Sequence, residues 1–118
     1  MSFSHNKIAT GRGAVSEADQ ADDIIAAVTG KTIYLKKITI HVTLAATGGT
    51  GIVTVRDGVA GTILIQVDGD TIDNQREVDL DDGRGYPLTS GNSLSLEVSG
   101  AGTNEASAFA VAVGEIEY

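Results

Sequence analysis

Apolar residues fall on every second position through most of this chain. In Lys37–Leu44, Ile38, Ile40, Val42 and Leu44 alternate with Thr39, His41 and Thr43. A two-residue period sends successive side chains to opposite faces of an extended backbone, so this is the pattern of a strand with one buried face. The same alternation runs through Ile52–Arg56 and Ile63–Val67. It recurs at Val78 and Leu80 between Glu77, Asp79 and Asp81, and at Leu94, Leu96 and Val98 around Ser95 and Glu97. Gly48-Gly49, Asp57-Gly58, Gly69-Asp70, Asp82-Gly83 and Ser90-Gly91 separate the runs. Glycine reaches positive φ cheaply, and Asp and Ser bond to nearby backbone, so such pairs make turns. Pro87 falls in a loop before the Leu94 run, where its missing N–H does no harm.

Three segments are less regular. Ser16, the acidic residues Glu17, Asp19, Asp22 and Asp23, and Gly30 could frame a short helix. Ile24–Val28, however, runs through Thr29-Gly30-Lys31 straight into a β-branched stretch, which favours loop and then strand. Phe3–Thr10 reads as an edge strand or an arm. In Ala106–Tyr118, Phe109, Val111 and Val113 share one face and Ala108, Ala110 and Ala112 the other. A strand apolar on both faces is normally covered on both sides. The alanine face, being low in bulk, suits either a subunit interface or a second layer of the same domain. Gly114 interrupts the parity, since Ile116 and Tyr118 fall on even positions, and a bulge is expected there.

These readings predict strands near residues 3–10, 23–28, 31–46, 50–57, 61–68, 75–81, 93–99 and 106–117. The expected fold is all-β, an eight-stranded antiparallel β-sandwich of jelly-roll type. Residues 1–20 form an N-terminal arm or edge strand, and residues 21–118 form the sandwich domain.

Composition narrows the core and the partners. Of the 118 residues, 42% are hydrophobic but only 4% aromatic, with no Trp, so the core must be aliphatic. The absence of Cys removes disulfides, thiolate nucleophiles and cysteine zinc sites. A small domain without such staples gains stability readily from oligomerisation. The net charge of −8 repels phosphate backbones and argues against nucleic acid as a partner. Met1–Thr10 is polar and mixed, unlike a signal peptide, and no stretch approaches the roughly 18 apolar residues of a membrane-spanning helix.

Candidate chemistry is sparse. His5 and His41 are the two histidines, and His41 lies among threonines on a polar strand face. No serine sits in a nucleophile-elbow pattern. Carboxylates gather at Asp68-Gly69-Asp70 with Asp73, and at Asp79, Asp81 and Asp82 before Gly83. They lack the spacing of a calcium loop and read as solvated turn residues. No cofactor, metal or catalytic residue is expected. Gly11-Arg12-Gly13 is too short for a phosphate loop and reads as flexible chain, with Arg12 a candidate contact to an acidic partner. Gly83-Arg84-Gly85-Tyr86 offers Arg84 and Tyr86, residue types favoured at interfaces. With Ala108, Ala110 and Ala112 these are the candidate interface residues.

The order of features also carries a resemblance. Ile24–Leu35 leads into a long strand, followed by Gly51–Gly58, Gly61–Leu64, Gly85–Leu96 and Ser99-Gly100-Ala101. Over roughly residues 20–118 this resembles small jelly-roll virion structural proteins of tailed bacteriophages, which decorate capsids or occur in tail and fibre parts. The resemblance implies a non-enzymatic protein located in the virion. It implies a homotrimer or other symmetric assembly, bound to the major capsid protein or another virion protein. A carbohydrate- or receptor-binding module of a tail fibre or tail tip is the alternative, weakened by the shortage of aromatic residues for stacking on sugars. A cupin-like metalloenzyme would need more histidine ligands than the chain has.

Overall fold

A computed structural model describes residues 7–16, 21–43, 52–68, 74–80, 85–99 and 107–117. They form nine strands and no helix: β1 (Lys7–Val15), β2 (Ala21–Ile25), β3 (Thr32–Thr43), β4 (Ile52–Asp57), β5 (Thr62–Asp68), β6 (Asn74–Asp79), β7 (Tyr86–Pro87), β8 (Leu94–Ser99) and β9 (Ser107–Glu117). One antiparallel sheet has the order β1-β9-β3-β6, and β7 joins β3 beyond the end of β6. The other has the order β2-β8-β4-β5. The chain crosses between sheets at every step except the β4–β5 hairpin and the step from β6 to β7. The strand beyond the expected eight is the two-residue β7, where Pro87 sits at an edge that needs no N–H from it.

The alternation seen in the sequence builds the layer between the sheets. Ile38, Ile40 and Val42 of β3 face Val53 and Val55 of β4 and Leu94, Leu96 and Val98 of β8 within one cluster, each nearly or fully buried. Burying a side chain of this size contributes roughly 1.5–3 kcal/mol. Along β3 the inward set changes parity, from Ile33 and Leu35 to Ile38, Ile40 and Val42. The cause is a bulge: Leu35 pairs with Gly114 and Lys37 with Val113, leaving Lys36 as the extra residue. The Lys36 carbonyl accepts the Leu80 amide at 2.6 Å, and its ammonium meets Glu115 at 3.1 Å. Gly114 lies opposite because a Cβ there would come 2.5 Å from the Tyr34 carbonyl oxygen.

This corrects one expectation about β9 and decides between two others. Ala108, Ala110, Ala112, Gly114 and Ile116 all point inward, so its parity is unbroken and the bulge belongs to β3. Of the two readings of the alanine face, subunit interface or second layer of the domain, the alanines take the second and lie in the core, and Val111 and Val113 face outward at 43% and 38% exposure. The reason is the neighbouring layer: β9 lies across from β2 and β8, where short side chains let the sheets approach.

Of the two readings of the N-terminal segment, arm or edge strand, residues 7–15 take the second, at the edge of their sheet. Gly11-Arg12-Gly13 lies in the middle of β1, which pairs with β9 from Lys7↔Ile116 to Val15↔Ala108. A Cβ at residue 11 would overlap the Ile24 carbonyl oxygen. The glycines are therefore what let β1 lie directly against β2 and close that side of the sandwich. The Ala14 amide donates to Asp22 Oδ2 at 3.0 Å across the same seam.

Candidate functional site

Three features on the outside of the sandwich are built well enough to contact something. The first is the outer face of the β1-β9-β3 sheet. Strand register places Arg12, Val111 and Thr39 in one row, and Thr10, Val113 and Lys37 in the next. Ala14, Phe109 and His41 form a third row, and Ile8 lies diagonal to Val113. Ile8 is 77% exposed. The result is an apolar strip, Ile8–Val113–Val111–Phe109, bordered by charges at Lys37, Glu77 and Glu115. Lys37 and Glu77 pair at 3.1 Å on its border, as do Lys36 and Glu115.

Phe109 is held at the end of this strip. The His41 ring stacks on it with centroids 5.1 Å apart, and the Arg12 guanidinium carbon lies 4.9 Å from its centroid. A cation over an exposed aromatic face contributes roughly 0.5–1 kcal/mol. Arg12, a candidate contact to an acidic partner, lies along its own sheet against Phe109. Sequence reasoning placed Phe109, Val111 and Val113 on one face and left the opposite, alanine face open between a subunit contact and a second layer of the domain.

The second feature is a cleft of about 260 Å³ on the outer face of the β2-β8-β4 sheet, under the β4–β5 turn. Its lining includes Asp22, Asp23, Arg56, Val59, Ser95 and Glu97. Arg56 donates from Nε and Nη2 to Glu97 Oε1, both at 2.8 Å, and from Nη1 to the Gly61 carbonyl at 2.8 Å. Ser95 donates to Asp23 Oδ1 at 3.0 Å and lies 2.9 Å from the Ser93 hydroxyl. The polar floor of the cleft is therefore rigid and largely bonded to itself.

The third is the side of the sandwich opposite β1 and β2. There the edges of β5 and β6 stand apart over a groove of about 400 Å³, lined by residues that include Ile63, Leu64, Arg76, Val78, Leu80 and Tyr86. Tyr86, a candidate interface residue, lies here at 43% exposure. Arg84, Asp70, Asp73, Asp81, Asp82 and His5 lie outside the described residues. Among the described residues, no three His, Asp or Glu side chains are grouped to hold a metal ion.

No family model matches the chain, and no curated protein matches it. Among solved structures, a chain of the cyanophage Pam1 capsid asymmetric unit is similar with a TM-score of 0.47, at 17% identity over 96% of this chain and 85% of that one. The Yersinia pseudotuberculosis-derived mitogen (YPM) is similar with a TM-score of 0.42, at 14% identity over 92% of this chain and 85% of that one.

Proposed function

We propose that the chain is a non-enzymatic structural protein of a bacteriophage virion, a decoration subunit that binds an assembled capsid and stabilises it as a homotrimer. The observation that carries this reading is the apolar strip Ile8–Val113–Val111–Phe109 on an otherwise acidic protein. A contiguous apolar patch bordered by charge is the signature of a protein contact surface. It lies on the outer face of a sheet, which suits a broad, shallow contact with a shell. The resemblance to jelly-roll virion proteins supports the same reading. So do the strand orders β1-β9-β3-β6 and β2-β8-β4-β5, which, the two-residue β7 aside, suit a jelly roll of two four-stranded sheets. A subunit that binds only the assembled shell stabilises it by mass action, since binding favours the state that offers the site.

Electron microscopy of virions carrying and lacking the protein tests the proposal. Added density on the shell is expected, and identical shells would refute decoration. Val111→Asp with Val113→Asp should leave the circular-dichroism spectrum of the isolated protein unchanged while abolishing co-sedimentation with capsids.

A second reading, a carbohydrate-binding module, is favoured by the mixed donors and acceptors of the cleft at Arg56, Ser95 and Glu97. It ranks lower because Arg56 already bonds to Glu97 and Ser95 to Asp23, and among the described residues no aromatic ring lines the cleft. Saturable binding on a glycan array, lost in Arg56→Ala, would reverse the order.

A further inference from the structure

We infer that Arg12 is the polar anchor of the shell contact and that it takes a carboxylate group of the partner protein. This rests on reading the Ile8–Val113–Val111–Phe109 strip as the contact face, and adds the chemistry that the other side must carry.

Arg12 differs from the other cations that the fold places. Lys36 and Lys37 each meet a glutamate at 3.1 Å, and Arg56 meets Glu97 at 2.8 Å. Arg12 instead lies 4.9 Å from the centroid of the Phe109 ring, and among the described residues no carboxylate pairs with it. An aromatic ring attracts the cation but does not use up its five N–H donors. They stay available as a fork that matches the two oxygens of a carboxylate.

The sheet keeps those donors from the chain's own acids. Glu77 is separated from Arg12 by β9 and β3, three strand spacings or roughly 14 Å. Glu115 lies four residues along β9 from Val111, the residue paired with Arg12, or roughly 13 Å away. Both glutamates already hold a lysine. The outward residues from Thr10 to Ala14 and from Phe109 to Val113 therefore present one cation and no acid, although the chain as a whole carries −8.

A partner that covers the strip covers Arg12 too, since Arg12 lies in one row with Val111 and against Phe109. A guanidinium taken out of water without an acceptor is costly, and a carboxylate in its fork removes that cost. Phe109, itself stacked on His41, holds the long side chain before contact, so less rotamer freedom is left to lose on binding. Beyond about 8 Å the remaining negative charges are largely screened at physiological salt, so one carboxylate meets mainly this local patch. A phosphate backbone would meet the whole acidic surface.

Co-sedimentation of the full chain with DNA-free capsid shells that lack it tests this. Arg12→Gln, at an exposed position, should raise the dissociation constant at least about 30-fold with an unchanged circular-dichroism spectrum. Arg76→Gln makes the same change in net charge on the side of the sandwich opposite β1, and should bind like the wild type. On shells whose carboxylates are amidated with carbodiimide and glycinamide, the wild type should weaken to the level of Arg12→Gln. General repulsion between two acidic proteins predicts the reverse, a tighter wild type. Binding of Arg12→Gln within about threefold of wild type, an equal loss in Arg76→Gln, or tighter wild-type binding to amidated shells would overturn the inference. Should amidated shells come apart, Arg12→Glu on untreated shells decides. Binding at least about fivefold weaker than that of Arg12→Gln supports the carboxylate, and equal binding overturns it. Val111→Asp with Val113→Asp reads the strip separately. Loss of binding there beside normal binding of Arg12→Gln leaves the shell contact standing and removes only the carboxylate, whereas a wild type that does not sediment with shells removes both.

Discussion

Replacing Asp57 with alanine removes the acceptor that ties the end of β4 to the loop entering β8. Asp57 is only 8% exposed, and its carboxylate takes three donors. The Thr89 amide lies 3.1 and 3.0 Å from its two oxygens, the Thr89 hydroxyl 2.8 Å from Oδ2, and Asn92 Nδ2 3.0 Å from Oδ1. Beside it the Gly58 amide donates to the Ser93 carbonyl at 2.8 Å. A hydrogen bond to a charged group contributes roughly 1.5–3 kcal/mol net, and bonds sharing one acceptor overlap, so the three together are worth about 3–4 kcal/mol. For a domain of this size that is a melting-temperature drop of roughly 10–15 °C. Asp57→Asn keeps one acceptor oxygen and should lose about half as much. Urea unfolding at fixed pH gives the free energies, and a cycle with Thr89→Val should show coupling of about 1 kcal/mol or more. If Asp57→Ala changed stability by less than about 0.5 kcal/mol, the latch described here would contribute nothing and the reasoning would fail.

Two further substitutions test the closed side of the sandwich. Gly11→Val should cost about 3 kcal/mol, because the new side chain meets the Ile24 main chain, which cannot move without pulling β2 from β8. A melting temperature within about 2 °C of wild type would contradict the close packing of β1 on β2. Ala110→Leu should cost about 2–3 kcal/mol through overpacking at a fully buried position. If urea unfolding instead showed unchanged stability and light scattering showed a changed mass, the alanine face would be an intersubunit surface after all.

Much of this architecture was legible from the strand alternation, because burial on one face imposes a two-residue period that survives in Ile38–Val42, Val53–Val55 and Leu94–Val98. Two kinds of information were missing. Which face of a doubly apolar strand turns inward depends on the layer it meets. In β9 that layer is β2 and β8, brought near by glycines almost a hundred residues away in the chain. The parity change from Ile33 and Leu35 to Ile38 and Ile40 was present in the sequence, but its meaning as a bulge at Lys36 emerges only with Gly114 opposite. The contact surfaces were half-visible. Tyr86 falls in the groove and Phe109, Val111 and Val113 line the strip. The exposed β5 edge depends on sheet order, which no local pattern encodes. Gly11-Arg12-Gly13 read as flexible chain because two glycines in three residues normally mark irregular backbone, whereas here they permit close contact between strands.

The position of β9 between β1 and β3 sets an order on biogenesis. It is made after the other eight strands, yet β1, made before them, has no other partner in its sheet among the described residues. The β2-β8-β4-β5 sheet can close once Ser99 has emerged, but it must then wait with its apolar side bare. Residues 107–117 arrive like a keystone, and a nascent chain stalled before Ser107 would leave β1 without a neighbour and one edge of β3 bare, the moment at which such a protein is most open to aggregation.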